Sequence, residues 1–376
     1  MVQPCDSLYI ILLLSYTTDV SSLFARLFPI PASFTIPTVG VDFSDATLRF
    51  IRLKQGLHGL VPMMSATIAI PEGCMDGGRI IDTETFVAFL KSVRTKYDLS
   101  YVRVSIPESQ VYSVTLPIDV QAKDDIRGSI ELLLEDNVPL KVSETVFDFQ
   151  VLSSDTEKIV VQVVAVAATV AEGYLEAFNA AGLIPVSFEL DGQAIARAVL
   201  APEDKKSCMI VDIGANRTGI TIVTKGVAVY TSTLEFGGKT LISLIMKEHG
   251  FDESAAHQEI HRGLSATGAN KDVFTSLASG ISVLKEEIDR RYIYWHEKKD
   301  QFGPLAAIDT ICLCGGYSTI EGLADYLSAS LKIKVIPANP WINCLSFDHE
   351  IPTLSHDDAQ SYVTAIGLAL TDYLYD

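Results

Sequence analysis

The sequence predicts an α/β protein of two similar domains, and three observations carry that expectation. A strand–loop–strand pattern, "MIVDIGANRTGITIV" at residues 209–223, has a weaker twin in "TVGVDFSDATLRFIRL" at residues 38–53, with Asp212 and Asp42 at matching places. Each copy is followed by a third strand, then a helix, a fourth strand and another helix. At 376 residues the chain is also long for a single core. Two halves, each a β-hairpin followed by a βαβ unit, imply two α/β domains facing each other across a cleft.

Residues 1–36 are read as an N-terminal extension, either unstructured or the product of a wrongly placed start. "LYIILLL" offers seven apolar residues with no basic residue before them. A membrane-spanning helix needs about 20 apolar residues, and a secretory signal needs a positive start. "SSLFARLFPIP" reads as a short amphipathic helix stopped by prolines.

The first domain is assigned to residues 37–108, 166–197 and 358–376. Its third strand is "MMSATIAI", its helix "TETFVAFLKSVRTKY" and its fourth strand "YVRVSIP". Residues 109–165 form an inserted α+β subdomain, in which "KDDIRGSIELLLEDNVPL" is an amphipathic helix ending at Pro139 between β-like runs. Its consecutive Leu132, Leu133 and Leu134 exceed one core-facing stripe. A neighbouring strand covering the excess and a face that receives a partner peptide both answer to that pattern.

The second domain is assigned to residues 198–357, with a helical insertion near residues 240–270. "GVAVYTSTLEF" is its third strand, residues 272–298 are a long helix, and "IDTICLCGG" is its fourth strand. The segment "DDAQSYVTAIGLALTDYL" is a final helix returning to the first domain.

Composition narrows the function classes. An apolar content of 48% with 20% charged residues is globular. Forty-seven acidic against 29 basic residues give a net charge of -18, which disfavours nucleic acid and anionic lipid as partners through bulk charge. Six cysteines are too few for a disulfide scaffold in a chain of this size. Cys312 and Cys314 alternate along a strand with no further ligands at metal-binding spacing, and so read as core in a reducing, cytoplasmic protein.

The loop after Asp212 carries Gly214, Arg217 and Thr218. Backbone N–H groups in such a loop converge on anions, and glycine admits a phosphate closely. An ordinary β-turn answers to the same residues.

With both hairpin loops, a Gly-Gly pair after a strand and the final helix in place, the chain resembles the actin-like ATPase superfamily. Within it the chain is most similar to the PilM family of type IV pilus assembly proteins, related to FtsA. The segments that carry the resemblance are "KDDIRGSIELLLEDNVPLKVSETVFDFQVL", "FELDGQAIARA", "LKEEIDRRYIYW" and "CGGYSTIEGLADYLSASLKIKVIPANPW", in family order. It implies an actin-like fold, a duplicated ribonuclease-H-like unit in two domains with an inserted α+β subdomain, and it implies ATP and Mg2+ as cofactors.

The resemblance also implies site roles. Asp42 and Asp212 would hold magnesium, mostly through water. Gly214, Ala215, Asn216 and Thr218 would form the second phosphate loop, and Gly237 and Gly238 would line the phosphate region. Glu287 and Arg290, three apart on a helix, would meet adenosine. Gly315, Gly316 and Tyr317 would let adenine lie against backbone. Asp191 or Glu189 would orient the attacking water, with slow or absent hydrolysis expected. Each position has a plainer reading: a solvated ion pair for Glu287 and Arg290, a strand-to-helix turn for Gly315 and Gly316, a helix cap for Asp191.

The first loop departs from the superfamily pattern. Where Asp-x-Gly is usual, this chain has Asp42-Phe43-Ser44-Asp45. Ser44 and Asp45 take the first phosphate-loop positions, but serine accepts positive φ less readily than glycine. At an effective dielectric near 20, a carboxylate roughly 6 Å from a phosphate charge costs about 3 kcal/mol.

The function implied is a cytoplasmic component of the type IV pilus, or related type II secretion, inner-membrane platform. Its expected partner is a PilN-like inner-membrane protein, bound through that protein's cytoplasmic N-terminal peptide, together with other platform proteins. Nucleic acid is not expected, and self-association stays open. An FtsA-like cell-division protein is the alternative, but its basic amphipathic membrane helix has no counterpart in the acidic ending "LALTDYLYD". A phosphotransferase on the same fold is the weaker alternative, since no motif argues for a carbohydrate pocket with its base.

Overall fold

Strands β1 (Val39–Phe43), β2 (Thr47–Gln55) and β3 (Leu60–Ala69) fold the first copy of the repeated motif, and β11 (Ser207–Ile213), β12 (Thr218–Thr224) and β13 (Val227–Leu234) fold the second. They are seen in a computed structural model that describes residues 38–204, 206–264, 271–298 and 307–374. The readings of residues 1–36 lie outside the described residues.

The hairpin-bearing sheets are built alike. With β6 (Tyr101–Ile106) and β10 (Ile184–Leu190), the first sheet has the order β10-β6-β1-β2-β3. With β14 (Ile308–Cys314) and β15 (Lys334–Pro337), the second has the order β13-β12-β11-β14-β15. The fifth, fourth, first, second and third strands of each half therefore succeed one another identically. In both, the first strand pairs antiparallel with the second and parallel with the fourth. The central strand "SCMIVDI" is buried almost throughout, as a strand covered on both faces must be.

The chain divides into two units. The described residues of the first come from Met1–Lys54, Met63–Ala194 and Ala365–Asp376, and those of the second from Gln55–Pro62 and Ile195–Thr364.

In the first unit, helix Thr83–Tyr97 starts where Asp82 accepts a hydrogen bond from the Thr85 N–H at 3.0 Å. It buries Phe86, Phe89, Leu90 and Val93, one face at helical spacing, and ends on the left-handed Asp98. Phe43 packs on Tyr174 with ring centroids 5.1 Å apart. The final helix, Val363–Leu374, lies directly on β1: a Cβ at Gly40 would come within 2.0 Å of the Ala365 carbonyl oxygen. Only glycine permits that approach.

Residues inserted before β10 fold as a three-stranded antiparallel sheet of β7 (Val111–Asp119), β9 (Lys158–Ala167) and β8 (Thr145–Ser154), in the order β7-β9-β8. Helix Ile126–Asn137 covers it with Ile130 and Leu134. Of the three consecutive leucines, Leu134 is buried, Leu133 packs at the margin of this core, and Leu132 is 83% exposed.

In the second unit, the segment expected to be helical near residues 240–270 holds helices Gly238–His249 and Glu253–Arg262, followed by the 28-residue helix Lys271–Lys298. Cys208, Cys312, Cys314 and Cys344 are buried here, and Cys74 is buried in the first unit. Burial pushes the thiols of Cys312 and Cys344 up to about 12. These five thiols should therefore label with a disulfide reagent at neutral pH only on unfolding, and rapid labelling of any of them in native protein would contradict the fold. Their native values lie above the ordinary value of 9.0, so the stabilisation they carry is complete below pH 9.0 and is lost as pH rises toward the native values.

Candidate functional site

Candidate site residues occur in both units. In the second, four segments chosen from the sequence converge. Asp212 sits near the end of β11, between Gly219 of β12 and Cys314 of β14. The loop after it is closed by the Gly214 N–H donating to the Arg217 carbonyl at 2.9 Å. The start of helix Gly238–His249 is tied to that loop, since the N–H groups of Gly238 and Lys239 donate to the carbonyls of Gly214 and Ala215 at 3.0 and 2.8 Å. The Tyr317 N–H donates to the Ile213 carbonyl at 3.1 Å.

Gly315 leaves no room for a side chain. Its φ is +89°, and a Cβ there would lie 2.3 Å from Asp212 Oδ1. Close by, the Tyr317 ring lies against Gly238, where a Cβ would meet it at 2.1 Å. His257 and His261 flank that ring at centroid distances of 6.0 and 6.4 Å. Burial is the main cause that raises the Tyr317 pKa, with Glu253 adding to it. Burial also lowers that of His261, helped by His257 and opposed by Asp357.

Three of the expected contacts are committed elsewhere. The Thr218 side chain is fully buried, and its hydroxyl donates to the Phe236 carbonyl at 2.7 Å. Glu287 is bonded to both Arg290, at 2.7 Å, and Arg291, which also reaches Ser232 Oγ. Glu287 and Arg290 thus form a surface ion pair in this structure. Asn216 is exposed and Ala215 half-buried at the rim of the loop.

In the first unit, Asp42 closes β1 opposite Arg49 and accepts from Ser105 Oγ at 3.1 Å. Burial raises its pKa, against the lowering by the Arg49 charge and the bonds from Ser105 and the Phe43 N–H. The two residues after Phe43 are engaged internally. Ser44 closes its own turn, with its N–H donating to the Thr47 carbonyl at 2.8 Å and its Oγ accepting from the Thr47 N–H at 3.2 Å. Ser44 is not at positive φ, so the turn avoids the strain that glycine would relieve. Asp45 Oδ1 accepts from the Gly78 N–H at 2.8 Å.

Asp191 begins helix Asp191–Val199, close enough to Tyr174 that its charge, with that of Asp45, adds to the upward shift that burial imposes on the tyrosine. Glu189 is deeply buried and holds β10 to the final helix. It accepts from Ser187 Oγ at 3.3 Å and Thr371 Oγ1 at 3.2 Å, with Arg103 at 3.9 Å. Those partners tie Glu189 to the final helix.

Sequence reasoning missed Arg103, Asp372 and the Gly77–Gly78 turn. The signal for the first two was present: a charge inside the apolar strand "YVRVSIP" and another inside the apolar helix "LALTDYL".

The family model for the type IV pilus assembly protein PilM matches residues 40–373. The chain belongs to the PilM family. Among solved structures it is similar to the PilM-PilN type IV pilus biogenesis complex at 20% identity, covering 90% of this chain and 99% of that one, with a TM-score of 0.73. It is also similar to the ethanolamine utilization protein EutJ from Carboxydothermus hydrogenoformans, at 17% identity, 91% of each chain and a TM-score of 0.52. MreB 5 of Spiroplasma citri bound to AMPPNP follows, at 11% identity, 88% of this chain, 94% of that one and a TM-score of 0.52. The fold is actin-like, as the family expects.

The residues suit a nucleotide in part. Asp212 beside a glycine-lined loop fits a hydrated magnesium ion next to phosphate. Among the described residues no three His, Cys, Asp or Glu side chains group closely enough to hold a metal directly.

Proposed function

We propose that the chain is an ATP-binding cytoplasmic component of the type IV pilus inner-membrane platform, or of a related type II secretion platform, that binds the cytoplasmic N-terminal peptide of a PilN-like membrane protein. Membership of the PilM family across residues 40–373 carries this reading. The similar complex contains PilN, and the similar MreB 5 holds AMPPNP. No helix among the described residues is long and apolar enough to cross a membrane. A net charge of -18 disfavours docking on anionic lipid. A protein partner then supplies the membrane address, and the inserted subdomain, with Leu132 exposed, is the surface proposed to receive it.

For the nucleotide, Asp212 and its counterpart Asp42 are the residues that would hold Mg2+ through water, and magnesium would supply charge neutralisation at the phosphates. The Ala215–Asn216 rim meets phosphate, because the first N–H groups of the helix at Gly238 already serve the loop. Gly315, Gly316 and Tyr317 border the adenosine. Asp191 is the remaining candidate for water orientation, and hydrolysis is slow or absent.

Calorimetry with MgATP and with a synthetic N-terminal peptide of the PilN-like protein tests this. Both should bind. Asp212→Ala should weaken MgATP by about tenfold or more, a loss of about 1.4 kcal/mol. Asp42→Ala should weaken it less, since Ser44 and Asp45 beside it are already bonded within their own unit. The opposite order would overturn the assignment of the stronger loop, and binding of neither ligand would overturn the function.

A further inference from the structure

The turn joining β4 (Met75–Asp76) to β5 (Arg79–Ile80) contains one peptide group that is gripped from two directions. The Gly78 N–H donates to Asp45 Oδ1 at 2.8 Å, on the loop that follows β1. The Gly77 carbonyl accepts from Ser109 Oγ at 2.8 Å and from Gln110 Nε2 at 2.7 Å. Gly77 C=O and Gly78 N–H are the two ends of a single peptide unit, which is planar and rigid. Ser109 and Gln110 belong to the short helical turn Glu108–Gln110 that leads straight into β7, the first strand of the inserted subdomain.

Neighbouring bonds remove the freedom of this unit to turn. The Gly78 carbonyl accepts from the Tyr174 hydroxyl, and Arg79 Nε donates to Gln110 Oε1 at 3.1 Å. Gly78 has φ +79°, and a Cβ on it would lie 2.8 Å from Pro107 Cβ. With its carbonyl held by Tyr174 and its N–H by Asp45, Gly78 cannot follow a displaced Asp45 without disturbing the turn that leads into β7, and no residue larger than glycine fits there. Rotation of the plane to keep the Asp45 bond would break those from Ser109 and Gln110.

We infer that the Gly77–Gly78 peptide couples the loop Ser44–Thr47 to the inserted subdomain, with Asp45 and Gln110 as its positioning residues. A nucleotide at the loop and a peptide on the subdomain then sense each other through one amide plane. This regulatory role rests on the function proposed above, whereas the mechanical link stands on the bonds alone.

Hydrogen–deuterium exchange on the full chain tests the link without ligand. In Asp45→Ala, the amides of Gly78 and Arg79 should exchange about tenfold faster, because a charge-assisted bond is lost. The acceleration should reach Gln110 and Val111. Asp45→Asn, which keeps an acceptor oxygen, should exchange nearly as the wild type does. The reciprocal variant Ser109→Ala/Gln110→Ala should speed exchange at Ser44–Thr47. If either end stays within twofold of the wild type when the other is broken, the link is overturned.

Adding MgATP separates this from the proposed function. Slowed exchange at residues 109–114 in the wild type, absent in Asp45→Ala, supports the coupling. Protection at residues 212–217 alone overturns the coupling and leaves nucleotide binding standing. Protection nowhere overturns nucleotide binding, and the ligand-free comparison still decides the link.

Discussion

Arg103→Met is expected to lower the unfolding free energy of the first unit by about 3–5 kcal/mol, the usual cost of removing one partner from a buried ion pair. The Arg103 guanidinium donates to Asp372 Oδ1 from Nε at 3.0 Å and from Nη2 at 2.8 Å, and its Nη1 donates to Ser187 Oγ at 2.9 Å. The side chains of Arg103 and Asp372 are only 11% and 14% exposed, and that of Glu189, 3.9 Å away, is not exposed at all. Methionine matches much of the volume but leaves both carboxylates without this cation. Asp372 also holds the start of β1 through the Thr38 N–H at 3.3 Å, so its disturbance loosens the seat of the final helix. Both tryptophans, Trp295 and Trp341, lie in the second unit, so indole emission alone would miss the loss. Urea unfolding followed by far-ultraviolet circular dichroism measures it directly. A change below about 1 kcal/mol would place this cluster with ordinary surface ion pairs.

The architecture was legible because it is written twice. An apolar strand, an aspartate, a small-residue turn and a second strand recur at Asp42 and Asp212, and that period was enough to expect two sheets of one design. Local chemistry was legible where a backbone demand selects a residue type, as at Gly315. It was less legible where side chains choose among partners. "DFSDA" looks like a phosphate loop lacking its glycine, yet nothing in it says that Asp45 will reach 33 residues along the chain to an amide of Gly78. Glu287 and Arg290 share a helical face, but a sequence cannot weigh Arg291 as the competitor that draws the carboxylate inward. Thr218 looks like a loop hydroxyl and is instead the first residue of β12, with its Oγ1 on a backbone carbonyl. For Asp45 and Thr218 the missing information is a contact with a distant segment, and for Glu287 it is the choice between two arginines within reach on one helix.

The Gly-Gly pair at residues 315 and 316 illustrates the same limit and gives the second large expected effect. The sequence presents two equivalent glycines, whereas the structure makes them unequal. Gly315→Ala puts an alanine at φ +89°, with its Cβ 2.3 Å from Asp212 Oδ1 and 2.6 Å from the Ile213 carbonyl oxygen. Strain at such a φ costs on the order of 1–3 kcal/mol, and forcing a methyl into a filled space costs about as much again. Part of that clash is with backbone, so the end of β11 must move, and it carries Asp212 with it. Gly316→Ala instead meets the Ser361 hydroxyl at 2.7 Å, with the next atom, Ser361 Cβ, at 3.9 Å, and a hydroxyl can rotate away. Thermal unfolding should therefore show Gly315→Ala destabilised by about 2–5 kcal/mol and Gly316→Ala by less than about 1 kcal/mol. MgATP titration of the same pair then isolates the ligand. Gly315→Ala should lose binding through displacement of Asp212. If Gly316→Ala keeps its stability but loses affinity by tenfold or more, the added methyl stands where the nucleotide lies. Unchanged affinity in Gly316→Ala would move the adenosine away from this turn, and equal stability loss in the two variants would refute the geometry that separates them.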